Sequence, residues 1–436
     1  MVFCAIKQRV FAEPHKVMGL NLKKNVIWSS FGHLVYALCQ WVTIIGLAKI
    51  AGPKAVGVFA LGVAVTGPII MLSNLSLRQA LIIEKDEDFI LEGYLFIRSI
   101  TVIIAFLLIL FVGNIIYVGE KRNVLILIGF VKSIEAICDI LYGFFQRKNR
   151  LDLVSISMII RGGCGVIAFL ISFYVYEDIV TSCLFLVATS FFSLLIWDIP
   201  QFVSLYGIQF LKQLFGFSEI GERAISAIKI ILTTYPLGLS ATLLSLNVNV
   251  PRYFIEHYVG EEGLGVFVSL GYFVVVGGVV ISAIWQASAR NLNLYFINKD
   301  IEKFRCLLRR LFLFSLLLGV VGVAMAVLWG EKILIIFYGD AFSVYYNFLI
   351  FIMVIATFTY LAAFLGSALI SMNLFSQRLF LILVSVVINI VVCVIFVPQF
   401  ELLGGAFGWL SSVIVYFLLS YYLISKFVKL DFFSIR

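Results

Sequence analysis

The chain is short of charge, of histidine and of proline. Only 13% of its 436 residues are charged, where a soluble domain carries about 25%. With 62% hydrophobic residues and a mean hydropathy of +1.10, such a chain cannot bury its apolar surface in one water-soluble core. Lipid must solvate most of it. The excess of basic residues gives a net charge of +8, but they are spread between apolar runs rather than gathered in a patch, which excludes nucleic acid as a partner. Three His and seven scattered Cys, with no CxxC and no Cys/His cluster, exclude a metal centre or a disulfide framework. No Walker A sequence, nucleophile elbow or HExxH is present, so an ATPase or hydrolase within this chain is excluded and an enzyme is not expected. Asp86-Glu87-Asp88 has the form of a glycosyltransferase DxD, but it sits in a short charged loop without a nucleotide-binding domain.

What is present is long apolar runs, 42 Phe and 19 Tyr. A membrane helix needs about 20 predominantly apolar residues. Twelve stretches qualify: 26–50, 54–82, 93–118, 122–145, 151–177, 179–201, 226–250, 262–289, 306–329, 343–370, 376–397 and 401–427. No cleavable signal peptide is expected, because the run from Val26 is too long for an h-region. With the N-terminus in the cytoplasm, 22 of the 32 Lys and Arg fall on the cytoplasmic face, 6 on the opposite face and 4 within or at the ends of spans. This is a positive-inside distribution with both termini cytoplasmic.

The longest interruption, 202–225, divides the chain into a tail (1–25), a first six-helix lobe (26–201), a cytoplasmic linker (202–225), a second six-helix lobe (226–427) and a tail (428–436). GPKAVGVF at 52–59 recurs as GEEGLGVF at 260–267, an offset of 208 residues, each copy between the first and second helix of its half. Six helices per half give both halves one orientation, the parallel type of transporter repeat.

The stretch VKSIEAICD, 131–139, places three ionisable groups in a membrane span. On a helix, Lys132, Glu135, Asp139, Gln146 and Arg150 share an arc of about 60°. Each such group at the centre of a lipid-exposed helix costs at least ~2.5–3.5 kcal/mol. Two readings follow. Lys132 and Glu135 form a self-neutralising pair that glues helices together, with Arg161 available to Asp139; or the stripe walls a hydrophilic cavity in which Glu135 or Asp139 couples an ion. Ser29, His33, Tyr36, Gln40 and Thr43 make a second polar stripe, with His33 either a hydrogen-bonded structural residue or a proton relay. Thr233, Ser240 and Asn247 make a third, uncharged one. Intramembrane charges concentrate in the first half: Arg78, Arg98, Lys132, Glu135, Asp139, Arg161 and Asp198. The basic excess suits a pyrophosphate or acidic sugar; for Arg78 and Arg98, snorkelling to the cytoplasmic surface is the competing reading.

The stretch GLAKIAGPKAVGVFALG (46–62) with LSNLSLRQ (72–79), YGFFQRKNRLD (142–152), SMIIRG (157–162) and NVPRYFIEHYVGEEGLGVF (249–267) resembles polysaccharide-export flippases. These are the Wzx-type O-antigen and capsule translocases of the multidrug/oligosaccharidyl-lipid/polysaccharide (MOP) superfamily. The resemblance implies an all-α, MATE-like membrane protein that moves undecaprenyl-pyrophosphate-linked oligosaccharide across the bacterial inner membrane by alternating access. It implies no cofactor, a proton or sodium gradient as driving force, and a polysaccharide polymerase and chain-length regulator as candidate partners. It also implies a central cavity lined with basic residues, to which Lys132 and Arg161 correspond by placement. From the residues themselves, Arg78, Arg98, Gln40, Asn74 and Asn247 are further cavity candidates, and Glu135, Asp139 and His33 are ion-coupling candidates. The family's usual start resembles MGLNLKKN from Met18, which makes 1–17 an extension. The rival readings are a peptidoglycan-precursor flippase, which usually has two further helices, a drug or cation antiporter, and a membrane polymerase or ligase.

Overall fold

The computed structural model describes residues 21–83, 88–207 and 220–428, in which helices are joined by short turns and no strand occurs. Residues 1–20 of the N-terminal tail, 84–87 with the first two residues of the DxD, 208–219 in the middle of the 202–225 linker, and 429–436 of the C-terminal tail lie outside the described residues.

The helices are α1 (Asn21–Asn74), α2 (Leu77–Ile83), α3 (Asp88–Ile116), α4 (Gly119–Arg147), α5 (Leu151–Tyr176), α6 (Ile179–Ser193), α7 (Ile199–Tyr206), α8 (Ile220–Tyr258), α9 (Glu261–Ile297), α10 (Ile301–Tyr338), α11 (Tyr346–Ser371) and α12 (Phe375–Val428). A π-turn, Leu194–Asp198, joins α6 to α7, and a 3-10 turn, Asp340–Tyr345, precedes α11. Among the described residues, eight helical segments are long and apolar enough to cross a membrane. Helix α4 is not one of them, because Lys132, Glu135 and Asp139 interrupt its apolar window.

Two helices are continuous in hydrogen bonding yet change direction inside. In α1 the break is Gly52, whose φ of 78° is open to glycine, with Pro53 next supplying the fixed φ of a helix start. In α12 it is Glu401, at φ 50°, three residues after Pro398. Both coincide with boundaries expected between adjacent spans. The boundary at Glu177-Asp178 is also where it was expected: Glu177 takes φ 52°, and the Asp178 carboxylate caps α6 by accepting from Thr181 N at 2.7 Å. The span expected to run unbroken over 54–82 does not. Leu75 and Ser76 both adopt left-handed φ, 47° and 53°, and detach α2 from α1.

Helix α3 shows how an all-apolar helix chooses its faces. Ile100, Ile103, Ile104, Leu107, Leu108, Phe111 and Ile115 form an exposed stripe, while Leu91, Tyr94, Ile97, Arg98, Ala105 and Ile109 are buried. Spacings of three and four residues put each set on one side. In a bilayer the exposed stripe meets acyl chains.

The contacts divide the chain into two units. One comprises the chain to Thr43 with Gly62–Ser245; the other comprises Ile44–Leu61 with Leu246–Arg436. In the first, Leu77, Leu81, Tyr94, Ile134, Cys138, Phe144, Phe145, Val154 and Phe202 form one core around α4. In the second, Asn389 of α12 is buried and its Nδ2 donates to the Asn247 backbone carbonyl at 2.7 Å and to Asn247 Oδ1 at 2.8 Å. The reason is Pro251. Without an N–H it leaves the carbonyl four residues back unserved, and lipid supplies no substitute donor. Asn389→Ala is therefore expected to lower stability by about 1–2 kcal/mol. In a Pro251→Ala background, where residue 251 regains its N–H, the same substitution costs measurably less; thermal unfolding in detergent across the four-member cycle checks this.

Candidate functional site

Helix α4 presents its polar stripe inside the first unit, and neighbouring helices bring partners to it. Glu135 is held from two sides. Lys132 Nζ donates to Oε2 at 2.8 Å, one turn away on α4, and Tyr36 OH of α1 donates to Oε1 at 2.5 Å. The Lys132–Glu135 pair therefore neutralises itself, and the hydroxyl of Tyr36 ties it to α1.

One turn further on, Asp139 accepts from two arginines. Arg78 Nη1 of α2 reaches Oδ1 at 3.2 Å, and Arg98 Nη2 of α3 reaches Oδ2 at 3.3 Å. Arg78 Nη2 also donates to Gln146 Oε1 at 3.2 Å, and Arg98 Nη1 donates to Asn74 Oδ1 at the end of α1. One carboxylate thus serves two guanidinium groups. The Arg98 side chain is 1% exposed, whereas Asp139 is 32% exposed. Burial of Arg98 against Asp139 sets aside snorkelling, since a snorkelling head group reaches water. The contact with Asn74 also gives a use to the break at Leu75 and Ser76: it ends α1 where Asn74 can meet Arg98. At its other end, α2 is held by Arg147 Nη1, which donates to the Leu81 carbonyl at 2.5 Å.

Arg161 of α5 does not pair with Asp139. Its Nη2 donates to Asp198 Oδ2 at 2.8 Å and to Cys138 Sγ at 2.7 Å. Arg161 is 6% exposed and Asp198 0%, so this pair is sealed within the unit. Asp198 ends the π-turn that precedes Pro200, where the Ile199 N–H reaches back five residues to the Leu194 carbonyl. Such bulges re-aim side chains, here an acid towards Arg161. The Tyr142 ring lies between the two arginine systems, 5.7 Å from Arg78 Cζ and 5.9 Å from Arg161 Cζ, with its hydroxyl 2.7 Å from Ser157 Oγ.

The other expected site residues lie apart from this constellation. His33 is exposed, with Nδ1 2.7 Å from the Ser29 carbonyl oxygen, one turn back on α1. Gln40 is half-buried, one turn beyond Tyr36. Asn247 belongs to the Pro251 contact in the second unit. Ser240 Oγ donates to the Pro236 carbonyl at 2.9 Å, and the side chain of Thr233 lies outside the described residues. Sequence reasoning does not single out Tyr36, Tyr142 or Cys138 as site residues. Tyr36 already stood on a polar stripe, so an acid facing that stripe was the missing signal.

The constellation therefore has three parts: a neutral Lys132–Glu135–Tyr36 group, a sealed Arg161–Asp198 pair, and a partly exposed Arg78–Asp139–Arg98 group in which positive charge outnumbers negative. Only the third offers guanidinium groups beside a reachable carboxylate. Such groups bind phosphate or carboxylate oxygens with two parallel hydrogen bonds.

Comparison with known proteins places this geometry. Residues 22–289 match the family model described as polysaccharide biosynthesis protein. The capsular polysaccharide biosynthesis protein CapF of Staphylococcus aureus is 26% identical over 409 residues, covering 92% of this chain and 99% of that protein. Among solved structures, the lipid II flippase MurJ in an inward closed conformation superposes with a TM-score of 0.70 at 12% identity, covering 92% of this chain and 87% of that one. An inward-facing multidrug resistance MATE family transporter of the MOP superfamily gives 0.66 at 17% identity, covering 98% of each. These likenesses establish the fold. The chain belongs to the polysaccharide biosynthesis protein family and carries the fold of MOP-superfamily membrane transporters.

Proposed function

We propose that this protein flips an undecaprenyl-pyrophosphate-linked oligosaccharide from the cytoplasmic to the outer leaflet of the bacterial inner membrane, for capsule, O-antigen or exopolysaccharide assembly. The observation that carries this reading is the Arg78–Asp139–Arg98 group: two guanidiniums from α2 and α3 sharing one partly exposed carboxylate. A pyrophosphate supplies more oxygens than one carboxylate does, so it competes with Asp139 for Arg78. Asp139, once relieved of its counter-ions, takes up a proton or a sodium ion. Ion binding at Asp139 in turn frees the arginines for the next substrate. Linkage requires this reciprocity, with coupling of about 1–3 kcal/mol.

Family membership and the full-length match to a capsular polysaccharide protein support a polysaccharide precursor over a drug as cargo. Twelve crossings follow if α1 and α12 each cross twice by turning at Gly52 and Glu401, and the repeat at 52–59 and 260–267 then divides them into two lobes of six. The positive-inside distribution supports a cytoplasmic position for both termini. A cation antiporter is the second reading, and the arginine excess around Asp139 disfavours it. A polymerase and a chain-length regulator remain proposed partners.

The test is deletion of the gene in its host. Surface polysaccharide is expected to be lost while lipid-linked repeat units accumulate, facing the cytoplasm, and re-expression restores both. Normal surface polysaccharide in the deletion strain would sink the reading.

A further inference from the structure

Arg78 is the reachable half of the arginine pair at Asp139: its side chain is 17% exposed, against 1% for Arg98. Both of its hydrogen-bond partners, Asp139 Oδ1 and Gln146 Oε1, lie on the α4 stripe, where an incoming anion competes for the same donors. A long side chain that loses such partners regains its rotamer freedom, and ordering it again opposes binding. Some further contact must hold Arg78 in place.

Tyr142 supplies it. Its ring centre lies 5.7 Å from Arg78 Cζ, buried in the core around α4 with Leu81 and Phe145. Its hydroxyl is 2.7 Å from the buried Ser157 Oγ, which ties the ring to α5. Arg161, 5.9 Å from the same ring, is already committed to Asp198 and Cys138. The next residue, Gly143, lets α2 settle on α4: a Cβ there would fall 2.8 Å from Leu81 Cδ2 and 3.4 Å from Arg78 Cγ. Tyr142 and Gly143 thus make a seat for Arg78, with the ring beside its guanidinium and open space beside its stem. A π face attracts a guanidinium through its negative quadrupole and repels an anion. The guanidinium's N–H donors point outward in its own plane, away from a ring on its face. Among the described residues, the ring is therefore the side-chain contact of Arg78 that an anion does not displace.

We propose that Tyr142, seated by Ser157 and Gly143, is a positioning residue that keeps Arg78 oriented while its hydrogen bonds pass from Asp139 to the anionic group of the cargo. The link to cargo rests on the flippase reading above; the hold on Arg78 does not.

Phenylglyoxal, which modifies guanidinium groups, is applied to the detergent-purified protein, and each modified arginine is quantified by mass spectrometry. Tyr142→Leu is expected to speed modification of Arg78 about five- to thirtyfold, the weight of a buried cation–π contact. Arg122, exposed near the other end of α4, should keep its rate. Tyr142→Phe keeps the ring and should bring Arg78 back to within about twofold of the parent rate. Tyr142→Met, which refills more of the ring's volume without a π face, should behave as Tyr142→Leu and replaces it if the leucine variant does not accumulate. In cells the leucine and methionine variants should lose export by a comparable factor at normal protein level, and Tyr142→Phe should restore most of it. In an Arg78→Ala background, Tyr142→Leu should cost nothing further. An unchanged Arg78 rate in the leucine and methionine variants overturns the proposal. Equal acceleration at Arg98 also overturns it, because the ring would then prop the whole site rather than Arg78. Normal export by Tyr142→Leu overturns its part in transport. A selective rise at Arg78 in a protein whose loss leaves polysaccharide unchanged upholds the hold on Arg78 and rejects the flippase reading instead.

Discussion

Arg161→Ala is expected to lower stability by about 3–5 kcal/mol, the cost of stranding a buried partner charge. Asp198 is fully buried and its Oδ2 is held by Arg161 at 2.8 Å, so removal of the guanidinium leaves a carboxylate with neither water nor counter-ion. A typical domain has about 5–15 kcal/mol in total, and a loss on this scale appears as reduced protein in the membrane and a lowered unfolding temperature in detergent. Asp198→Asn alone should cost less, because an amide is uncharged and still accepts a hydrogen bond. The double variant Arg161→Met/Asp198→Leu, which removes both charges and keeps volume, should recover most of the loss. Unfolding temperatures of the four proteins decide the matter. If Arg161→Ala folds as stably as the parent while export fails, Arg161 is a substrate ligand and the sealed-pair description is wrong.

Arg78→Ala is expected to have the opposite profile: normal protein level and a loss of export of tenfold or more. Arg78 is partly exposed and contributes one of the two guanidiniums at Asp139. A hydrogen bond to a charged group is worth about 1.5–3 kcal/mol, or roughly ten- to a hundredfold in affinity. Arg78→Lys should restore export only in part, because an ammonium does not offer the planar pair of donors with which Arg78 now bridges Asp139 and Gln146. Asp139→Asn separates substrate binding from driving force. Flipping by reconstituted Asp139→Asn should lose its response to an imposed proton or sodium gradient while retaining a slow basal rate. An unchanged gradient response would remove Asp139 as the coupling group and leave Glu135, held by Tyr36 and Lys132, as the remaining carboxylate on the α4 stripe.

Helical phase alone placed Lys132, Glu135, Asp139 and Gln146 on one face of α4, because residues three and four apart share a face whatever surrounds them. It also identified the Lys132–Glu135 pair, three residues apart, and the reason a membrane helix would carry it. The choice of partner for Asp139 was not legible. Arg161 was the partner the sequence offered, and the selection of Arg78 and Arg98 instead depends on where α2, α3 and α5 pack around α4. The positions of Arg78 and Arg98 depend further on the break at Leu75 and Ser76. No glycine or proline marks that break; contacts with Asn74 and Leu81 at its two sides hold it.

By itself the sequence determined that this protein lives in lipid, that its chain turns near Gly52, Glu177 and Glu401, and that one short glycine-bearing motif occurs twice, 208 residues apart. Apolar run length, charge frequency and glycine spacing are local quantities, and hydrocarbon leaves the backbone little choice but helix. Tertiary structure alone decided which charges are sealed and which are reachable. Arg161 meets an acid 37 positions away and Arg78 one 61 positions away. Over such separations, burial and pairing depend on how helices lie against one another, a property no single stretch of the chain contains.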